Sequence, residues 1–230
     1  MNYRKYYINA IEKPLPEMQE TFKQEQIYLS YKIGEAMSNV GLTKILEVGC
    51  GCRPLPDLAE IISLGRFTGI DNDAKVLSKT RKTDFWGRPL NNLELQIGDA
   101  TQLPFSAEDE FAMVFSTYNL LGSGQTYEER EKIISEQYRI LRPGGIAANI
   151  VWAQNTKTTE FLKRYYEHIG ATVKDINMQR TVLDFGEVER PSVQSIINIY
   201  KRAGLMAITS TDLGPLWVAV AGKKDLSLLS

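Results

Sequence analysis

Lys44-Ile45-Leu46-Glu47-Val48-Gly49-Cys50-Gly51 decides the fold of this chain. A short apolar run with β-branched residues, stopped by glycines, reads as a buried strand that turns sharply at its carboxyl end. Glycines at such a turn let a ligand approach the backbone, because no Cβ stands in the way. Twenty residues beyond Gly51, the run Phe67-Thr68-Gly69-Ile70 ends in Asp71. That spacing fits a strand–helix–strand unit whose second strand presents a carboxylate to a ribose diol. A nucleoside-containing cofactor at the carboxyl edge of a parallel sheet is therefore expected.

The glycines narrow the choice of nucleoside. A dinucleotide fingerprint starting at Gly49 and Gly51 needs a third glycine at position 54, which is Pro54, so the pyrophosphate cradle is incomplete. No P-loop with its Lys-Ser/Thr is present. A glycine turn with a ribose-binding acid and no phosphate grip suits a nucleoside without phosphates.

Four stretches together resemble the class I S-adenosylmethionine-dependent methyltransferases. Glu47-Val48-Gly49-Cys50-Gly51 resembles their first motif and Gly69-Ile70-Asp71 their second. Gly98-Asp99-Ala100-Thr101-Gln102-Leu103-Pro104-Phe105 is similar to their adenine-side motif, and Leu141-Arg142-Pro143-Gly144-Gly145 to the turn before their fifth strand. The motifs occur in the family's order across residues 44 to 152.

Whole-chain properties bound the rest. With 230 residues, 43% of them hydrophobic, the chain can bury one substantial core. A net charge of −1 and the lack of a long basic block argue against a nucleic-acid substrate. The N-terminus has no apolar signal core and no apolar run approaches membrane-spanning length, so a soluble, cytoplasmic protein, monomer or homodimer and without a membrane partner, is expected. Both cysteines, Cys50 and Cys52, lie in the ligand turn, and no further Cys or spaced His completes a metal set.

The expected architecture is α/β: a doubly wound, mostly parallel seven-stranded Rossmann-like sheet with an N-terminal helical arm and a cap insertion. Residues 1–43 form the arm, irregular to residue 16 and helical from Glu17 to Val40, with Gly41 as its stop; as a lid it would cover the cofactor cleft. Residues 44–230 form the cofactor-binding domain. A helix is expected from Asp57 to about Leu64, where an N-terminus facing the site favours a carboxylate. Strands are expected at 66–70, 93–97, 112–115 and 146–152, with Asp73 capping the helix after strand two and a helix over 127–141. The cap occupies about 153–190, with helical periodicity over 159–169 followed by a mixed stretch. A helix over 192–202 and a hairpin of 205–211 with 216–222 close the sheet, the hairpin being implied by the resemblance.

The resemblance also implies roles, residue by residue. Glu47 would support the amino end of S-adenosyl-L-methionine, while Gly49, Cys50 and Gly51 would let its methionine and ribose parts pass. Asp71, with Asn72 beside it, would accept both ribose hydroxyls; a helix-capping role is its bland alternative. Asp99 and the Ala100 N–H would meet adenine, and Ser116 and Thr117 the methionyl group or sulfonium. Tyr118 and Asn119 are the candidate catalytic, acceptor-facing residues, with core packing as the alternative for Tyr118. Tyr6 and Tyr7 of the arm, Arg53, Tyr165 and His168 are candidate substrate contacts. Arg53 could hold a carboxylate or simply start a helix, and His168 could be a base or a surface residue.

The implied activity is methyl transfer to a small molecule. The sulfonium is already activated, so placement and desolvation supply most of the acceleration without a metal. Ser116-Thr117-Tyr118-Asn119 is not the Asn/Asp-Pro-Pro-Tyr pattern of adenine and glutamine N-methyltransferases. Arg53-Pro54-Leu55-Pro56 departs from the first motif and echoes nicotianamine synthases. Aminocarboxypropyl transfer or cyclisation releasing methylthioadenosine is therefore an alternative, and a non-catalytic scaffold is another.

Overall fold

A computed structural model describes residues 14–41, 44–52, 65–80, 92–106 and 111–225. Tyr6, Tyr7, Arg53 and the helix expected over 57–64 lie outside the described residues.

Helix α1 (Pro16–Val40) is the first element among the described residues. Proline in its first turn costs no hydrogen bond, and Gly41, at φ 79°, ends it with an N–H to the Met37 carbonyl. Strands β1 (Ile45–Val48) and β2 (Phe67–Asp71) follow, then the short α2 (Ala74–Leu77), which Asp73 caps by accepting from the N–H groups of Lys75 and Val76. After β3 (Leu93–Ile97) and β4 (Phe111–Ser116) comes α3 (Tyr127–Ile140). Thr126 and Glu129 bond reciprocally to close its capping box.

Strand β5 (Leu141–Trp152) is longer than the 146–152 segment expected from sequence. The Leu141–Gly145 turn is absorbed as an irregular start: Leu141 pairs with Phe111, the register then shifts, and Ile146 pairs with Met113. Gly144 sits there at φ 80°. Helix α4 (Thr156–His168) and strands β6 (Val173–Ile176), β7 (Arg180–Leu183) and β8 (Gly186–Glu189) make up the cap region. The mixed stretch is thus a separate three-stranded antiparallel sheet in the order β6-β7-β8. Buried Arg190 pins it, donating to the carbonyls of Met178 and Arg180 and to the Thr181 hydroxyl. Helix α5 (Val193–Ala203), β9 (Met206–Leu213) and β10 (Trp217–Lys223) complete the described chain.

The main sheet has seven strands in the order β3-β2-β1-β4-β5-β10-β9. β3, β2, β1, β4 and β5 run parallel, and β10 pairs antiparallel with both β5 and β9. The chain crosses from one side of β1 to the other between β3 and β4, so the carboxyl ends of β1 and β4 flank the topological switch point where α/β sheets take ligands.

Alternation along the strands divides the core. Met113, Phe115, Ile150 and Trp152 face one side and pack with Met18, Leu29 and Ile33 of α1. Val114, Ala147, Val151 and Val220 face the other and pack with Ile133 and Ile134 of α3 and Ile196 and Ile199 of α5. No helix among the described residues is long and apolar enough to cross a membrane.

One polar hub lies within the second layer. The Asn149 amide on β5 donates to Gln137 Oε1 (2.8 Å) and to the Tyr200 hydroxyl (2.6 Å), while its Oδ1 accepts from Gln137 Nε2 (3.1 Å) and Ser116 Oγ. The Tyr200 hydroxyl in turn donates to the Val220 carbonyl at 3.0 Å, and complete burial pushes its pKa far up, so it stays neutral. Tyr200→Phe should cost about 1–1.5 kcal/mol, because it strips a buried donor from Asn149 of its acceptor. Urea unfolding of the two proteins reads this; equal midpoints would show that the hub contributes nothing.

Candidate cofactor and acceptor site

The turn after β1 is folded back onto β2. Gly49 (φ 69°) and Gly51 (φ 60°) are left-handed, which glycine adopts without a Cβ penalty. The N–H groups of Gly49 and Cys50 both donate to the Ile70 carbonyl, at 2.8 and 3.0 Å. Thr80 Oγ1 donates to the Gly51 carbonyl at 2.8 Å and fixes the far side of the turn. The Cys50 side chain is buried against Gly69, where a Cβ would stand 2.8 Å from its sulfur. Burial first, then the Glu47 and Asp71 carboxylates, pushes its thiol pKa well up, so it is an inert packing group.

Asp71 stands at the end of β2 with each oxygen already oriented. Oδ2 accepts from Gly51 N–H at 3.0 Å and Oδ1 from Asp73 N–H at 2.9 Å. Each oxygen keeps a lone pair for a further donor, which is the acceptor fork that a vicinal diol requires. Burial raises the Asp71 pKa above the ordinary 3.8, and the backbone N–H bonds oppose that shift.

A cavity of about 200 Å³ opens beside this fork, lined among others by Gly49, Asp71, Asn72, Asp99, Ala100 and Leu120. Asp99 closes a tight turn, its Oδ1 accepting from both the N–H and the hydroxyl of Thr101 at 2.8 Å. Gln125, Glu129 and Ile133 add a wall at the start of α3. A Cβ on Gly49 would meet the Leu120 side chain at 2.8 Å and push it from its place in the cavity wall.

Helix α3 braces both loops that border the cavity. Glu136 accepts from Leu103 N–H at 2.8 Å, and Arg139 donates to the carbonyls of Phe105 and Leu103 at 2.7 and 3.1 Å. Arg139 lies beside Glu136, holding its carboxyl below the usual range. Nearer the helix start, Arg130 donates to the carbonyls of Leu121 and Gln125 at 2.6 and 2.9 Å. None of these residues was singled out from sequence, where a charged helix face looks like a solvated one.

Glu47, fully buried, accepts from Thr117 Oγ1 at 2.7 Å, so these two residues meet where β1 and β4 end. Ser116 does not join them: its hydroxyl is turned into the Asn149 hub on the other face of the sheet. Tyr118 and Asn119 are both left-handed, at φ 56° and 61°, a conformation that costs a non-glycine residue about 1 kcal/mol or more. Asn119 uses its side chain as a brace, donating to the Glu189 carbonyl at 3.1 Å and accepting from Trp152 N–H at 3.3 Å.

Tyr118 enters an aromatic cluster. Its ring stacks on Phe22 of α1 with centroids 6.1 Å apart and meets Trp217 and Trp152 edge-on at 5.7 and 6.1 Å. From α4, Phe161 and Tyr165 pack on Trp152, and the hydroxyls of Tyr118 and Tyr165 hydrogen-bond to each other. The buried Trp217 Nε1–H has no hydrogen-bond partner among the described residues. His168 is exposed at the far end of α4 and belongs neither to this cluster nor to the cavity lining. The described residues contain no group of His, Cys, Asp and Glu that could hold a metal ion.

The fork, the glycine turn and the cavity fit a nucleoside with a free ribose diol. Residues 45–145 match a methyltransferase domain family. The chain is similar to a demethylmenaquinone methyltransferase from Desulfitobacterium hafniense (strain Y51), at 28% identity over 80% of this chain and 74% of that protein. It shares its fold with the CcbJ methyltransferase of Streptomyces caelestis (TM-score 0.65, 13% identity, 94% and 95% of the two chains covered). An S-adenosylmethionine-dependent methyltransferase from Clostridium acetobutylicum ATCC 824 also shares it (TM-score 0.63, 12% identity, 97% and 98% covered). The matched stretch carries the ordered motifs on this sheet, so the chain contains a methyltransferase domain similar to those of the class I S-adenosylmethionine-dependent methyltransferases, and S-adenosyl-L-methionine is the cofactor that fits it.

Proposed function

We propose that this methyltransferase acts on a small-molecule acceptor held at the aromatic cluster where β4 and β5 end. The observation that carries the reading is Tyr118. It stands two residues beyond β4 and two before the cavity-lining Leu120, and its ring lies among Phe22, Trp152 and Trp217.

Bound S-adenosylmethionine supplies a methyl group already activated on a sulfonium. The chain's part is then placement and exclusion of water. In this reading Asp71 takes the ribose hydroxyls, Asp99 and Ala100 border the adenine, and the Glu47–Thr117 pair lies towards the methionine end. α1 and α4 wall the cluster with Phe22, Phe161 and Tyr165, which favours a compact acceptor over a polymer. A net charge of −1 supports the same choice against nucleic acid.

Aromatic walls with two bonded tyrosine hydroxyls and an indole N–H that has no partner among the described residues favour a planar ring that carries oxygen. The related protein's named acceptor, demethylmenaquinone, has that chemistry. Reduced demethylmenaquinone incubated with methyl-deuterated S-adenosylmethionine should yield a product heavier by one labelled methyl, read by mass spectrometry. If neither this acceptor nor a fractionated pool of small metabolites gained the label, the proposal would be wrong.

A further inference from the structure

The loop after β4 borders both the aromatic cluster and the cavity: Tyr118 joins the cluster, while Leu120 and Gln125 line the cavity. Two consecutive left-handed residues at its start need an external restraint to stay populated. Much of that restraint converges on Glu189, the last residue of β8 in the cap. Its carbonyl accepts from the Asn119 amide at 3.1 Å, and its carboxylate pairs with Arg130. Arg130, itself buried, also holds the Leu121 and Gln125 carbonyls. Gly122 lets the strand approach, since a Cβ there would stand 2.1 Å from the Glu189 carbonyl. One cap residue thus grips the loop at its acceptor end through the backbone and at its cofactor end through Arg130.

We propose that Glu189 and Arg130 are a positioning pair that couples the cofactor cavity to the acceptor cluster. The loop between them moves as one body, so filling the cavity is felt at Tyr118, Trp152 and Trp217. The inference rests on the cofactor reading of the cavity, and it assigns neither residue a contact with a reacting atom.

Tryptophan emission tests it without knowledge of the acceptor. The chain has three tryptophans, so a Trp86→Phe background leaves Trp152 and Trp217 as reporters, both in the cluster. S-adenosylhomocysteine should change their emission. Glu189→Gln in that background keeps the carbonyl bond to Asn119, and its half-exposed side chain makes a folded variant the expected outcome. It should lower S-adenosylhomocysteine affinity by about 10-fold and reduce the emission change at saturation to less than half. Arg130→Lys should do the same, and the double variant should lose little more than either single one. A pair that serves stability alone would lower the unfolding midpoint while leaving the saturating emission change intact, and that result overturns the proposal. Absence of binding to the Trp86→Phe parent and to the unaltered protein would instead overturn the cofactor reading.

Discussion

Asp71→Ala should weaken S-adenosylhomocysteine binding by about 100-fold or more. Hydrogen bonds to a charged group are worth about 1.5–3 kcal/mol each, and the fork offers two, so the low end of the sum is about 3 kcal/mol. Asp71→Asn should fare little better. Both Asp71 oxygens already accept backbone N–H groups, from Gly51 and Asp73, so an amide NH2 on either side opposes a donor. The pH dependence follows from the raised pKa, which burial causes in the free protein. The diol favours the carboxylate, so affinity is full above that raised value and falls as the pH drops through it, beginning above the ordinary 3.8. Calorimetric titration across mildly acidic pH reads this. Unchanged affinity in Asp71→Ala would remove the residue from the site.

Gly122→Ala should have the largest effect on stability among these variants. The added Cβ would stand 2.1 Å from the Glu189 carbonyl and 2.3 Å from the Asn119 amide nitrogen. The first is backbone and the second is already committed on two sides, so neither can yield without breaking the grip of β8 on the loop. Overpacking of this kind costs about 2 kcal/mol, a fall of roughly 4–8 °C in Tm for a chain this size. The comparison variant is Gly124→Ala, two residues on, where nothing lies within 4 Å and only the left-handed φ of 82° is strained. Equal melting temperatures for the two variants would contradict the contact argument.

The glycine turn and the Asp71 carboxylate at the strand ends are legible in the sequence because their determinants are local. Gly49, Gly51 and Asp71 sit at fixed distances from short apolar runs, and strand period and turn chemistry suffice to place them. The first motif and the Asp73 cap appear in the structure where the sequence puts them. Strand β5 is longer than read because Pro143-Gly144-Gly145 looks like a break, yet its start still pairs with Phe111. The β6-β7-β8 sheet is not legible. Its strands have four residues each, and only β7 alternates between buried and more exposed positions, too short a run to reveal a period.

Side-chain commitments across the fold are harder to read than elements. Ser116 looks like a neighbour of Thr117 facing the cofactor, but strand alternation sends it to the opposite face and into the Asn149 hub. Asn119 looks like an acceptor contact, and its amide is spent on Trp152 and Glu189, residues 33 and 70 positions away. Arg130 and Arg139 lie on a charged helix, and only the folded loops give their guanidinium groups carbonyls to hold.

The most direct test of the central claim is the identity of the nucleoside product. The protein would be incubated with S-adenosylmethionine, with and without a small-molecule cell extract, beside an enzyme-free control. The account predicts S-adenosylhomocysteine, formed only when extract is present. Methylthioadenosine above the control, with no S-adenosylhomocysteine, would contradict it and assign the reaction to the aminocarboxypropyl arm.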